Sequence, residues 1–270
     1  MNWRRIGVIA GFDLRHGVFR VRGLLFLIPF ALLWYPILKN FDRDVSAWFR
    51  GREGMVIAST LFDVDVAKAL FIDNPPLLSA FFLVALATAP FFVILAAHDQ
   101  TASDLGGGFF RLLTPRCTRL EIFIGRFTSA LLLLTCAYGL VGLAAAVISV
   151  LADGTGVATA LLYLAQIGLT VFLYIAPFIA FAALASALCS SALGALLLGM
   201  AGYAALLILI WAGNGLFADS APFSYLLPSG LKNDLFGVDA LRSSFAAACM
   251  PVYALAYAWC GWRVFRLRNF

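Results

Sequence analysis

Charged side chains are scarce in this sequence, and their scarcity decides the class of protein. Only 12% of the 270 residues are Asp, Glu, Lys or Arg, whereas 63% are hydrophobic. Soluble domains carry about 25% charged residues, because their surface has to face water. The composition therefore excludes an ordinary soluble globule and favours a protein that lives in a membrane.

Lysine is much scarcer than arginine, and its positions exclude nucleotide hydrolysis by a P-loop. The three lysines are Lys39, Lys68 and Lys232, and they are followed by Asn, Ala and Asn. A P-loop needs the pattern GxxxxGK[ST], in which the lysine reaches the phosphates of the nucleotide. Any ATP hydrolysis linked to this chain must therefore take place on a partner.

Histidine and paired cysteines are also too few for metal or haem chemistry. The only histidines are His16 and His98, no HExxH motif is present, and the five cysteines show no CxxC spacing. A haem bundle needs axial ligands inside the membrane, and zinc proteases need the HExxH helix. We predict no catalytic residue, no metal site and no cofactor bound by this chain, so it is not expected to be an enzyme.

Long apolar stretches make up most of what is present. A helix needs about 20 apolar residues to cross a bilayer, and strands of a barrel would alternate apolar and polar residues. The stretches here are apolar on all sides and carry no charge in their interior, which predicts a single all-α integral membrane domain over residues 1–270. We predict six transmembrane helices, at about 23–38, 77–97, 127–151, 157–188, 190–213 and 244–262.

The distribution of arginine predicts the orientation. Twelve of the nineteen basic residues fall in the N-terminal segment, in the segment between the second and third spans, and at the C-terminus. Basic residues near span ends stay on the cytoplasmic side. Both termini are therefore predicted to be cytoplasmic, with extracytoplasmic segments at 39–76 and 214–243. The net charge of +5 then reflects topology and needs no nucleic-acid partner.

Residues 1–22 are predicted to form an amphipathic helix that lies in the membrane interface. Arg4, Arg15 and Arg22 share one stripe of such a helix, while Trp3, Ile6 and their helical neighbours share another. Interfacial helices place basic residues at the lipid headgroups and apolar residues below them. A second apolar stripe through Val8 and Phe12 suggests packing against the bundle on two sides. The alternative is a merely basic tail.

The segment from His98 to Phe127 is a long polar stretch between the second and third predicted spans. Its arginines are explained by topology. Topology does not explain the apolar run Phe109–Leu113, which stands between a triple glycine and Pro115. An apolar cluster on a cytoplasmic loop is unfavourable in water and indicates an interface. The alternative is that this run packs back against the bundle.

This arrangement resembles the permease subunits of bacterial ABC-2 type transporters across essentially the whole chain. The family places an acidic residue after the second span, then a glycine, then an LL…P…R run, and then a Gly-Arg or Gly-Lys pair before the third span. The matching positions here are Asp99 or Asp104, Gly106–Gly108, Leu112, Leu113, Pro115, Arg116, Arg119, Gly125 and Arg126. The sequence departs from the pattern in having Asp where Glu is common and three glycines where one is usual.

The resemblance implies a function and a set of partners. It implies a permease of an ATP-binding cassette exporter in the bacterial inner membrane, with two ATPase subunits that hold ATP and Mg²⁺ and with a second permease copy, most simply as a homodimer. It also implies that the loop between the second and third spans forms a cytoplasmic coupling helix that docks on the ATPase. The residues assigned to docking are Asp99, Asp104, Phe109, Phe110, Arg111, Leu112, Leu113 and Arg116.

The substrate is expected to be hydrophobic or amphipathic, because no ionisable residue lies in a span as an ion ligand or proton relay would. Candidate pathway residues are Gln166, Asn214 and Phe217. For Gln166 an interhelical hydrogen bond is the alternative, and Asn214 also fits a helix end. The alternative function is a non-transporting scaffold, or a subunit that passes mechanical force from an ATPase to an outer partner.

Overall fold

A computed structural model describes residues 2–19, 21–40, 51–61, 64–107, 117–216, 221–236 and 240–268. Within these residues the protein is all-helical and contains no strand. The α-helices are α1 (Trp3–Phe19), α2 (Val21–Asn40), α3 (Arg52–Leu61), α4 (Val64–Phe71), α5 (Pro76–Ala97), α6 (Ala102–Gly106), α7 (Arg119–Asp153), α8 (Val157–Leu188), α9 (Ala192–Leu216) and α10 (Ala240–Leu267).

Six of these helices are long and apolar enough to cross a membrane, which confirms the predicted multi-pass class. They are α2, α5, α7, α8, α9 and α10. The longest, α7 with 35 residues, is roughly 52 Å long at 1.5 Å per residue. A bilayer core is only about 30 Å thick. The first turns of α7, which carry Arg119, Glu121 and Arg126, can therefore lie outside the hydrocarbon.

Local sequence explains where the long helices begin and end. Pro75 and Pro76 start α5, where a missing backbone N–H costs nothing. Thr118 and Glu121 form a capping box at the start of α7, and Gly154 ends that helix in the left-handed conformation, with φ 67°. Between α8 and α9 the helix is interrupted at residues 189–191.

The helix α8 stands at the centre of the bundle and packs against α5, α7, α9 and α10. A second part of the core joins α2 to α5 and α7 through aromatic rings. The Phe30 ring meets those of Phe92 and Tyr138 edge-on, with ring centroids 5.3 and 5.1 Å apart. Edge-to-face pairs of this kind add to the stabilisation from burial. They fix α2, the least embedded of these three helices, in one rotation.

The described part of the segment before α10 forms three short 3₁₀ helices, at Ala221–Leu226, Pro228–Leu231 and Asp234–Phe236. The Phe223 ring faces Gly213 of α9, where a Cβ atom would lie only 2.8 Å from the ring. The hydroxyl of Tyr253 donates to the carbonyl of Tyr225. Tyr253 lies roughly 20 Å from the start of α10. The segment therefore folds back along α9 and α10, and Tyr253 satisfies one of its backbone carbonyls.

The N-terminal helix α1 packs against α7 and α2. Its second apolar stripe is exposed at Val8 and Phe12, so the prediction that this stripe also packs on the bundle was wrong. Ile6 and Ala10 are buried, each 4% exposed. Trp3, Val8 and Phe12 are all more than half exposed. The second apolar stripe therefore faces away from the bundle at Val8 and Phe12, because α1 turns Ile6 and Ala10 toward it.

Candidate functional site

The chain leaves α5 at Ala97 and enters a buried polar segment. The helical run of α5 is interrupted at residues 98–101, before the triple glycine that begins at Gly106. The Asp99 carboxylate accepts hydrogen bonds from the backbone N–H (2.8 Å) and hydroxyl (2.6 Å) of Ser103. Side-chain oxygens of this kind satisfy the free N–H groups at a helix start. Asp99, only 8% exposed, thus stabilises the beginning of α6.

Ser186 of the central helix α8 holds the same segment from the other side. Its fully buried hydroxyl oxygen accepts from the backbone N–H groups of Thr101 (2.9 Å) and Ala102 (3.0 Å). Gln100 also donates from its amide to the carbonyl of Ile179, at 3.2 Å. Hydrogen bonds between buried groups are stronger than those exposed to water, and three of them act here, although the side-chain oxygen of Gln100 is buried without a partner. The start of α6 is therefore fixed to α8.

Arg126 connects this segment to α7. Its guanidinium group donates to the carbonyl of Gln100 and to the carboxylate of Asp104, and its Nε lies 3.8 Å from Oδ2 of Asp13 on α1. Arg126 is only 7% exposed. A buried cation needs such partners, since its desolvation is costly. We call Asp13, Gln100, Asp104 and Arg126 the Arg126 cluster, and it joins α1, α6 and α7.

The Arg126 cluster was missed by the sequence analysis, which explained all the arginines of this segment by topology. Arg126 is set apart from the others by its position inside an apolar run, between Gly125 and Phe127. A charge within an apolar run signals a buried partner. The acidic partners could not be selected from the sequence, since Asp104 lies 22 residues away and Asp13 on a separate helix.

Glu121 ties the N-terminus to the start of α7. Its carboxylate accepts from the backbone N–H of Asn2 (2.7 Å) and of Thr118 (3.0 Å), and it lies 3.8 Å from the Arg5 guanidinium. A carboxylate at a helix N-terminus is also favoured by the helix dipole. The first residues of α1 are thus held on the first turn of α7.

Close packing reinforces this junction at Gly125. A Cβ atom at Gly125 would lie 2.8 Å from Cγ2 and 2.9 Å from Cβ of Ile9. Only a glycine lets α1 approach α7 so closely. The C-terminus reaches the same place, because Arg119 donates to the carbonyls of Arg266 (2.6 Å) and Arg268 (2.7 Å). Both chain termini therefore lie at the end of the bundle that holds the Arg126 cluster.

The residues assigned to docking fall into two groups. The carboxylates of Asp99 and Asp104 are engaged inside the fold, by Ser103 and by Arg126. The others lie outside the described residues, and their assignment stays a prediction. They are Phe109, Phe110, Arg111, Leu112, Leu113 and Arg116.

The described part of the chain does not bring the three predicted pathway residues together. Gln166 lies on an exposed face of α8, and its side-chain amide bonds to no other described residue. Asn214 lies in the last turn of α9, and Phe217 lies outside the described residues. A cavity of about 180 Å³ lies instead between α5, α7 and α8. It is lined mainly by apolar groups, among them Phe81, Leu164 and Phe172, and it carries the hydroxyls of Thr135 and Tyr138.

The fold and the site define a multi-pass, all-helical membrane protein whose polar residues serve to connect helices at one end. No protein-family model matches the chain, and no curated protein matches it.

Proposed function

We propose that the chain is the membrane-spanning permease subunit of an ATP-binding cassette exporter of the ABC-2 type. ATP and Mg²⁺ would be bound by two copies of a separate ATPase subunit. The end of the bundle that holds both termini would face the cytoplasm of a bacterial inner membrane, as the positions of the arginines favour.

This proposal rests on one observation, which is that the chain is held firmly on both sides of residues 108–116. On one side, α6 is bonded to α7 through Arg126 and to α8 through Ser186. On the other side, Thr118 and Glu121 cap α7. A segment that is rigidly attached at both ends transmits a displacement to the helices that hold it. Flexible attachments would let the segment move without moving those helices. The apolar run Phe109–Leu113 between these attachments would be the surface on which the ATPase docks.

The cavity supports a hydrophobic or amphipathic substrate. Its walls are mostly apolar, and the hydroxyl oxygens of Thr135 and Tyr138, two of its lining residues, are buried. Binding sites for apolar molecules are lined mainly by hydrophobic and aromatic side chains. An ion pathway would need charged or carbonyl ligands instead.

The test is co-purification of this chain with the ABC ATPase expected from a neighbouring gene. The variants Phe110→Asp and Leu113→Asp place a charge in the proposed interface, and we expect either one to remove the ATPase from the complex. The matched control is Leu267→Asp, at an apolar residue of the same end that is 79% exposed. Survival of the complex in both docking variants would show that the ATPase binds elsewhere.

A second measurement separates an exporter from a mechanical subunit. In lipid nanodiscs, amphiphilic compounds should raise the ATP hydrolysis rate of the complex if they are transported. A complex that binds its ATPase but responds to no amphiphile would favour the force-transmitting alternative.

A further inference from the structure

Gln166 is a polar residue on the exposed face of α8, a helix that is long and apolar enough to cross the membrane. Tyr163, one turn before Gln166, shares a hydrogen bond of 3.0 Å with Ser79 near the start of α5. Gln166 is one turn beyond Tyr163, and therefore about 9 Å deeper than Pro76, the first residue of α5. Since the 22 residues of α5 span roughly 33 Å, about the thickness of a bilayer core, this level lies within the hydrocarbon layer. Its side chain nevertheless points away from the bundle, and it is exposed.

A polar group exposed to lipid is costly unless a partner satisfies it. The amide of Gln166 carries two donors and an acceptor, and it bonds to no other residue in the described part of the chain. Its own backbone carbonyl accepts from the Thr170 hydroxyl, at 3.1 Å. That bond does not reach the side-chain amide, so the amide has no partner among the described residues.

The neighbours of Gln166 have the spacing of a helix-packing face. Thr159, Leu162, Gln166 and Leu169 follow one another at intervals of 3, 4 and 3 residues, and all four are exposed. Leu162 is 73% and Leu169 60% exposed. This is the alternation of a left-handed helix pair, with Leu at the d positions and polar residues at the a positions. We call these four residues the Gln166 face.

We propose that the Gln166 face pairs with the same face of a second copy of this chain, and that the two Gln166 side chains hydrogen-bond to each other. Copies with the same membrane orientation meet around a two-fold axis, which brings identical residues together. An amide suits this position because it is both donor and acceptor, whereas a charged residue would repel its copy. Polar residues at single a positions are known to select paired helices and fix their register.

The proposal rests on the exposure and depth of Gln166 and not on the proposed function. Its test uses no ATPase, so the two can fail separately. Single cysteines are placed at 162, 166 and 169 in a chain freed of its five native cysteines, and oxidative cross-linking is measured in membranes. The native cysteines to be replaced are Cys117, Cys136, Cys189, Cys249 and Cys260. The controls are Leu161→Cys on a different face of α8 and Ile208→Cys on α9, at residues 50% and 64% exposed.

We expect disulfide-linked dimers at all three positions of the face, strongest at 166, and none at the controls. Absence of cross-linking at 166, or equal cross-linking at Ile208→Cys, would overturn the proposal. A cross-link from 166 to a different protein would overturn it as well, and so would labelling of Gln166→Cys by a maleimide confined to water.

Substitution at Gln166 gives an independent measurement in the native chain. Gln166→Leu should raise the dissociation constant of the dimer, measured by subunit counting in bilayers, by roughly three- to thirty-fold, the range for intramembrane hydrogen bonds. Gln166→Asn should retain most of the affinity. Both substitutions lie on an exposed face of α8, so neither changes the packing of the core. Equal dimerisation of wild type and Gln166→Leu would contradict the role of the amide.

Discussion

The guanidinium group of Arg126 pairs with the carboxylate of Asp104, and this pair connects two helices that are separated along the chain by the segment 107–118. The same guanidinium lies 3.8 Å from Asp13. One arginine thus holds α1, α6 and α7 at the end of the bundle where both termini lie. In the proposed permease, these are the elements that would receive a displacement from the ATPase.

Replacing Arg126 by alanine should destabilise the protein strongly. Removing one partner of a buried ion pair costs about 3–5 kcal/mol, and the low end applies because the Asp104 side chain is 20% exposed. Arg126→Lys should recover part of this loss, since lysine keeps the charge but cannot bind Gln100 and Asp104 with one planar group. Unfolding in detergent, followed by thermal or denaturant titration, measures the difference.

The control for Arg126 is Arg4→Ala, at an exposed arginine of α1. Its replacement should change the unfolding free energy by less than about 0.5 kcal/mol, as is usual at exposed positions. Equal stability of Arg126→Ala and Arg4→Ala would show that the Arg126 cluster does not hold the helices together.

Gly106 should not tolerate a side chain. A Cβ atom at this position would lie 2.2 Å from the backbone carbonyl oxygen of Ser190, and a backbone atom cannot move aside cheaply. Gly106→Ala should therefore destabilise the protein by about 1–3 kcal/mol, as overpacking does. Gly7→Ala on α1 is the matched control. Its Cβ would meet nothing within 4 Å, and alanine favours a helix over glycine by up to about 1 kcal/mol. Detergent unfolding of both variants is the measurement, and a neutral Gly106→Ala would contradict the close contact.

The sequence predicted the six long helices because their signal is composition over 20 or more residues, which tertiary contacts do not override. It did not predict the role of single polar residues. Arg126 and Arg119 have the same charge, yet only one is buried, because that depends on which helix face meets α1 and α6. The outward orientation of Gln166 could not be predicted either. An apolar helix in a membrane has no polar face that would indicate how the helix is rotated.

Gly125 should control the attachment of α1. Gly125→Ala brings a methyl group against Ile9 and should separate α1 from α7. The expected result is faster tryptic cleavage at Arg4, Arg5 and Arg15 in membranes. Adding Ile9→Ala should restore protection, because it removes the side chain that the new methyl group meets. Gly139→Ala on the same helix is the control, with nothing within 4 Å of its Cβ. Unchanged cleavage in Gly125→Ala would contradict the assigned packing.

The most direct test of the proposed function is photo-cross-linking from residue 110 in the assembled complex. A photo-reactive amino acid replaces Phe110, and another replaces Leu267 at the same end of the bundle. If the run Phe109–Leu113 docks on the ATPase, illumination in membranes should link position 110 to the ATPase subunit and position 267 to it far less. A complex that co-purifies with its ATPase but yields no adduct from position 110 would contradict the account.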